Sequence, residues 1–220
     1  MISGRMLVLC VFLIPVFSAF AEPIKVSAGL LVSWVPLEGD YQTINVSGST
    51  LTDNSTFEAL GLEAFLDFTY EEVSIGINGA VTQLNDTQTY QGATTSVNSP
   101  FSITDIDIRL IGKYPFDFGS FTLFPLAGLE KYFCLRGSLN NVSYTSDQIS
   151  DSSPWLLTAG VGVDVTVADK LYVRQELTGS YNLTSRRSTS YYQSFGSGSG
   201  SFQSSSGWEI QFSVGLGLLL

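Results

Sequence analysis

Residues Gly207 to Leu220 alternate without a break. Trp208, Ile210, Phe212, Val214, Leu216, Leu218 and Leu220 are apolar, while Glu209, Gln211, Ser213, Gly215 and Gly217 between them are polar or small. Side chains of a strand point alternately to opposite sides, so the segment is a two-faced strand with one wholly apolar face. Such a run, with no polar tail after it, fits poorly in a water-soluble fold. It suits the closing strand of a β-barrel standing in a bilayer, with one face toward lipid and the other toward a polar lumen.

The first residues read as an address. Arg5 gives a short positive region, Met6 to Phe17 is apolar, and Ala19-Phe20-Ala21 matches the small-x-small cleavage pattern, so residues 1–21 are expected to be a secretory signal peptide. The apolar stretch is too short to span a bilayer comfortably. Cys10 follows Leu7-Val8-Leu9, and Leu9 is a poor fit to a lipoprotein cleavage site, so Cys10 reads as one more apolar residue of the signal. Residues 22–220 are then expected to form a single domain.

The formal net charge is −10, and loss of Arg5 makes the mature chain one unit more negative. That argues against nucleic acid, whose phosphates need a basic face. Cys134 is the one cysteine left after cleavage, so no intrachain disulfide can staple the fold. No mature segment reaches the ~18 consecutive apolar residues of a membrane-spanning helix. An exported, apolar chain without such a helix has the composition of an outer-membrane barrel.

Eight two-sided segments can be drawn: 24–35, 56–69, 73–84, 101–114, 121–136, 155–167, 171–183 and 207–220. In the second, Leu60, Leu62, Ala64, Leu66 and Phe68 oppose Ala59, Gly61, Glu63, Phe65 and Asp67; in the sixth, Leu157, Ala159, Val161, Val163 and Val165 oppose Thr158, Gly160, Gly162 and Asp164. Two residues break the pattern. Lys131 falls on the apolar face of the fifth segment, which a bulge near Pro125 or a snorkelling lysine would repair, and Gln175 falls on the apolar face of the seventh. Tight turns are expected at 70–72, 115–119 and 168–170, and long polar loops at 36–55, 85–100, 137–154 and 184–206. The last of these holds Phe195-Gly-Ser-Gly-Ser-Gly-Ser-Phe202, expected to be flexible. The expected fold class is all-β: an eight-stranded antiparallel up-and-down transmembrane β-barrel, with both termini on the short-turn, periplasmic side.

A soluble lipocalin-like barrel or sandwich, with the apolar faces inward, is the competing architecture. Three features favour the membrane. The segments run to about a dozen residues, beyond the ~5–6 of ordinary strands and close to the 9–11 that cross a bilayer. Aromatics such as Trp34, Tyr70, Tyr114, Phe121, Trp155, Tyr181 and Trp208 sit near segment ends, where interfacial girdles belong. The polar face is rich in Gly, Ser and Ala, as a crowded narrow lumen requires.

That polar face carries Lys25 and a candidate lumen charge network of Glu63, Asp67, Asp105, Asp107, Arg109, Lys113, Glu130, Asp164, Arg174, Glu176 and Glu209. A barrel of eight strands leaves an interior about wide enough for side chains to fill, so charges there must pair or hydrogen-bond. The network is expected to be a structural plug, or else to gate a narrow conduit. Asp105 and Asp107 share a face with Arg109 and Lys113, which points to ion pairing and away from a divalent metal. The sequence has no histidine, so barrel hydrolases that use His as general base find no counterpart here. No catalytic, cofactor or metal motif stands out. The Asn-x-Ser/Thr triplets at Asn45, Asn54, Asn85, Asn141 and Asn182 read as loop markers.

With signal, strands and alternating turns in place, the chain resembles small eight-stranded bacterial outer-membrane proteins of the OmpA transmembrane-domain, OmpX, OmpW and opacity type. The resemblance covers Glu22 to Leu220 and rests on architecture. The most family-like stretches are Lys113-Tyr-Pro-Phe-Asp-Phe-Gly-Ser-Phe-Thr-Leu-Phe-Pro-Leu-Ala-Gly128 and the last strand. Such families usually end in Phe where this chain has Leu220. The resemblance implies residence in outer-membrane lipid, assembly by the barrel-assembly machinery, and a non-enzymatic role in envelope structure or surface contact, with a host or environmental ligand at the loops. An OmpW-like conduit for small apolar solutes is the alternative, followed by a secreted lipocalin-like binder.

Overall fold

A computed structural model describes residues 23–46, 49–91, 96–139, 141–151, 153–184 and 200–220. Eight long strands carry the fold: β1 (Lys25–Val46), β2 (Ser49–Tyr70), β3 (Val73–Gln91), β4 (Ser96–Lys113), β5 (Phe121–Leu139), β6 (Trp155–Ala168), β7 (Leu171–Asn182) and β8 (Gly200–Leu219). Each pairs antiparallel with its neighbours in sequence, and β8 pairs with β1, so the sheet closes on itself. The closure register sets Leu30 opposite Leu216, Val32 opposite Val214 and Trp34 opposite Phe212. A closed ladder satisfies the strands' backbone groups without water, which a hydrocarbon solvent demands.

The period-two alternation sorts the side chains as expected. Leu60 is 63 % exposed, Ile75 54 % and Leu216 54 %, whereas Glu63 and Arg109 inside the ring are 0 % exposed. A broad aliphatic band around a barrel cannot face water, because soluble surfaces rarely carry contiguous apolar patches beyond a few hundred Å². The molecule is therefore a transmembrane β-barrel of the outer-membrane type. The lipocalin-like reading fails on the same geometry, since it needs the aliphatics inside and the charges out.

One end carries tight connections. Glu71 and Glu72 join β2 to β3, with Glu71 in the left-handed region at φ 51°, and Asp169 and Lys170 join β6 to β7. Between β4 and β5 the chain makes a two-residue strand, Phe116–Asp117, against Leu123 and Thr122, and turns at Gly119, whose amide donates to Asp117 Oδ1 at 2.7 Å. At the other end, β5 leads to a two-residue strand, Val142–Ser143, and a short helix α1 (Ser146–Asp151).

Two of the expected loops are not loops. β1 and β2 stay paired to Val46 opposite Ser49, and β3 and β4 to Gln91 opposite Ser96. Two-sidedness ends where lipid ends, but the backbone ladder does not need an apolar face, and Thr, Val, Ile and Tyr continue to favour extended chain there. β8 likewise begins at Gly200, so Gly200 to Phe202 of the Gly-Ser run are strand; the rest of that run lies outside the described residues, as does the expected signal peptide. Pro36 sits at a register shift of β1 between Trp34 and Leu37, a bulge where the missing N–H is tolerated. β5 has its bulge at Leu135, opposite the Thr104–Asp105 step and away from Pro125. Lys131 keeps to the outer face, its ammonium donating to the Ser153 carbonyl and lying over the Trp155 ring at 5.3 Å.

Candidate functional site

The lumen is filled by side chains arranged in layers along the axis. At the short-turn end a vestibule of about 650 Å³ opens outward, lined among others by Lys25, Thr69, Glu71, Asp117, Tyr172 and Lys170. Lys25 is exposed there, at the rim and away from the charge network. At this rim Tyr114 donates its hydroxyl to Glu72, which raises the phenol above its ordinary value.

The vestibule ends on a layer built around Arg174. Its Nε and Nη2 donate to the two oxygens of Asp164 at 2.7 Å each, and Nη1 donates to Asp67 at 2.6 Å. Lys113 donates to both Asp67 oxygens at 3.1 Å and to Glu176 at 3.3 Å. The guanidinium carbon of Arg174 lies 4.1 Å from the Phe65 ring centre and 5.1 Å from that of Phe124, so two aromatic rings pack around the cation. The neighbours are set by the register: Asp164 and Arg174 face each other directly across β6 and β7.

The next layer centres on Arg109, which forms an ion pair with Glu63 and lies 3.7 Å from Glu130 and 4.0 Å from Asp107. Glu63 also accepts from Ser33 at 2.9 Å, Asn78 at 2.5 Å and Gln211 at 3.3 Å. Glu130 accepts from Thr158 at 2.9 Å and Ser180 at 3.3 Å. Each strand contributes at least one group, so the layer ties the whole ring together. Toward the long-hairpin end Tyr132 donates to Glu209 at 3.0 Å. Beyond it Val35, Ala59, Leu84 and Ile103 form an apolar collar with Tyr132 and Asp105.

All eleven candidate residues thus face the lumen, and ten of them are buried; Asp164, at the vestibule, is part-exposed. Lys113 turns to Asp67 and Glu176 and away from Asp105, in the middle of its own strand. Cys134 is a buried free thiol beside the collar. The list omitted Phe65, Phe124 and Tyr132. They stand at lumen-face positions of the same alternation, but an aromatic ring at a polar-face position carries no charge to draw attention to it. Among the described residues no group of His, Cys, Asp and Glu has the arrangement of a metal site. Chemically, the layers bring donors and acceptors into mutual contact across the ring.

No protein-family model matches the sequence. No curated protein matches it either. Solved structures do match in fold. The outer-membrane protease OmpT from Escherichia coli aligns over 89 % of this chain and 97 % of its own at 9 % identity, with a TM-score of 0.50. Neisserial surface protein A aligns over 88 % and 99 % at 12 % identity with a TM-score of 0.44. Ail, the attachment invasion locus protein of Yersinia pestis, solved with the heparin analogue sucrose octasulfate, aligns over 87 % and 99 % at 9 % identity with a TM-score of 0.39. At such identities the likeness is one of fold alone.

Proposed function

We propose that this barrel is a non-enzymatic protein of the outer membrane, with a structural plug for a lumen and its long strand hairpins as a surface for contact outside the cell. The observation that carries the reading is the stack inside the ring: the Arg174 layer, the Arg109 layer and the apolar collar follow one another, built of buried side chains apart from Asp164 at the vestibule. Ion pairs in such a place are strong only when both partners stay, so they favour a fixed interior over one that opens and closes. Glu63, Asp67, Glu130, Asp164, Glu176 and Glu209 each accept from a cation, hydroxyl or amide, and the chain holds no histidine to serve as a general base. Likeness to a protease in fold does not bring its chemistry along.

In this reading residues 1–21 direct export and are removed, and the barrel-assembly machinery inserts residues 22–220. The hairpins of β1–β2 and β3–β4 continue the ladder past the apolar band, for roughly 35 Å of strand in β1 after Val35. A hairpin of that reach supports a role in adhesion or recognition.

Purified protein in a planar lipid bilayer tests the plug. The expected record is flat, with no stepwise conductance over the usual voltage range. Steady open steps would overturn the plug and favour the conduit for small solutes. Mass spectrometry of the exported protein should find Glu22 at its N-terminus. Removal of residues 38–57 should abolish attachment to whatever surface the intact protein binds, while the barrel still folds.

A further inference from the structure

Gln175 stands where a polar group should not. It lies on the outer face of β7, exposed, between Val173 and Leu177 along its own strand. Across the ladder its partners are Val163 on β6 and Val214 on β8, both apolar and both facing lipid. On β8 that level is midway between Trp208 and Leu220, the two ends of the apolar row. Among the described residues no side chain or backbone group bonds its amide. A primary amide has two donor hydrogens and an acceptor oxygen, and hydrocarbon offers partners for none of them. Leaving them unmet costs several kcal/mol on water-to-alkane scales.

From this geometry we infer that the β6–β7–β8 wall is an interface with a second copy of this chain, joined through the two Gln175 amides. The inference rests on the membrane-spanning reading and goes beyond the proposed function. The amide points to a copy because it is self-complementary: each N–H donates to the other's carbonyl oxygen, giving two reciprocal bonds. A charged side chain would repel its twin. A two-fold axis along the membrane normal keeps two copies of one residue at the same depth, which is what the pairing needs.

The wall around the amide allows the approach. Ala159 and Gly179 face each other across β6 and β7, four residues, or about 13 Å, toward the long-hairpin end. A Cβ built on Gly179 would meet nothing nearer than 3.9 Å, so the barrel's own packing does not demand a glycine there. Val161, Val163 and Val173 continue an aliphatic surface beside the amide, bounded on β8 by the ring of Phe212, which stands opposite Leu177. In contrast to a soluble interface, no hydrophobic gain drives the contact, because lipid chains are as apolar as the wall; packing and the two hydrogen bonds supply it.

The test uses the full barrel in phosphatidylcholine vesicles, with Cys134 replaced by Ser, and compares Leu177→Cys with Ile77→Cys on the opposite wall. A bifunctional thiol reagent should trap Leu177→Cys as a dimer far more efficiently than Ile77→Cys. Adding Gln175→Leu should weaken association roughly tenfold by dilution of the protein in lipid, the loss of two membrane hydrogen bonds. Heat-dependent gel mobility, run beside it, reports whether each variant is a folded barrel. Gln175→Leu should be folded, since it replaces an amide by an aliphatic facing lipid, and Gln175→Val gives the same reading should it not be. Equal crosslinking on both walls, a wild-type chain that stays monomeric at every lipid ratio, or a dimer indifferent to Gln175→Leu would each overturn the inference. A chain that fails to fold into the vesicles at all would instead strike the membrane reading beneath it.

Discussion

Arg174 grips Asp164 by two parallel bonds of 2.7 Å, and the same guanidinium sends a third bond of 2.6 Å to Asp67 on the far side of the ring. One side chain thus joins β6 and β7 to β2; it is the cation paired with Asp164, and it shares Asp67 with Lys113. Arg174→Ala should cost about 3–5 kcal/mol in urea unfolding of the lipid-inserted barrel, the usual penalty for stranding buried charges. Arg174→Lys should recover only part of this, since an ammonium cannot make the planar fork. Full stability in Arg174→Ala would mean the layer is ornamental.

The second layer should respond unequally to its two central members. Arg109 is the one cation there and faces Glu63, Glu130 and Asp107. Removing it, as in Arg109→Met, leaves three carboxylates without a neighbouring cation and should cost about 3–5 kcal/mol. Glu63→Gln leaves Arg109 with two acids and keeps an acceptor for Ser33 and Asn78, so about 1–2 kcal/mol is expected. Equilibrium unfolding of both variants settles the order, and a reversed order would count against Arg109 as the centre of the layer.

Depth in the bilayer should set the cost of a charge on the outer face. Ile77 and Val73 are both about half exposed on β3, but Val73 follows the Glu71–Glu72 turn and Ile77 lies further into the band. Ile77→Lys should destabilise by about 2–4 kcal/mol, and Val73→Lys by about 1 or less, because a lysine near the rim can reach water. Similar losses at both sites would show that the band is not where the exposed aliphatics put it.

Two glycines of the same barrel should behave in opposite ways. A Cβ at Gly215 would sit 1.9 Å from the Leu30 carbonyl oxygen and 2.7 Å from Leu31 Cα, both backbone atoms of the strand that closes the ring. Gly215→Ala must push β1 and β8 apart at the seam, and a loss of about 1–3 kcal/mol or failure to insert is expected. Gly179→Ala has ordinary room and should leave the stability of the folded monomer within about 0.5 kcal/mol of the parent. Gel mobility after refolding into detergent distinguishes the two.

Much of this architecture is legible in the sequence because a barrel in lipid enforces its alternation on both sides. Leu62 and Glu63, adjacent in the chain, are 59 % and 0 % exposed, and no soluble strand would need that inversion. The turns at Glu71–Glu72 and Asp169–Lys170 are equally plain, since they are the polar interruptions between apolar rows. The hairpin extensions after Val35 and Leu84 are not, because outside lipid a strand keeps its ladder but loses the pattern that marks it. Pairing within the lumen is hidden for another reason. Arg174 and Asp67 stand 107 positions apart and Tyr132 and Glu209 stand 77 apart, and alternation says which way a side chain points but not whom it meets.

The continuation of β1 and β2 as one paired ladder to Val46 and Ser49 changes what an approaching molecule encounters. On the proposed reading it would meet a fin of paired strands continuous with the barrel wall and held in register by cross-strand pairing. Capture by such a fin sacrifices little chain entropy, so modest contacts along its edge can suffice for attachment.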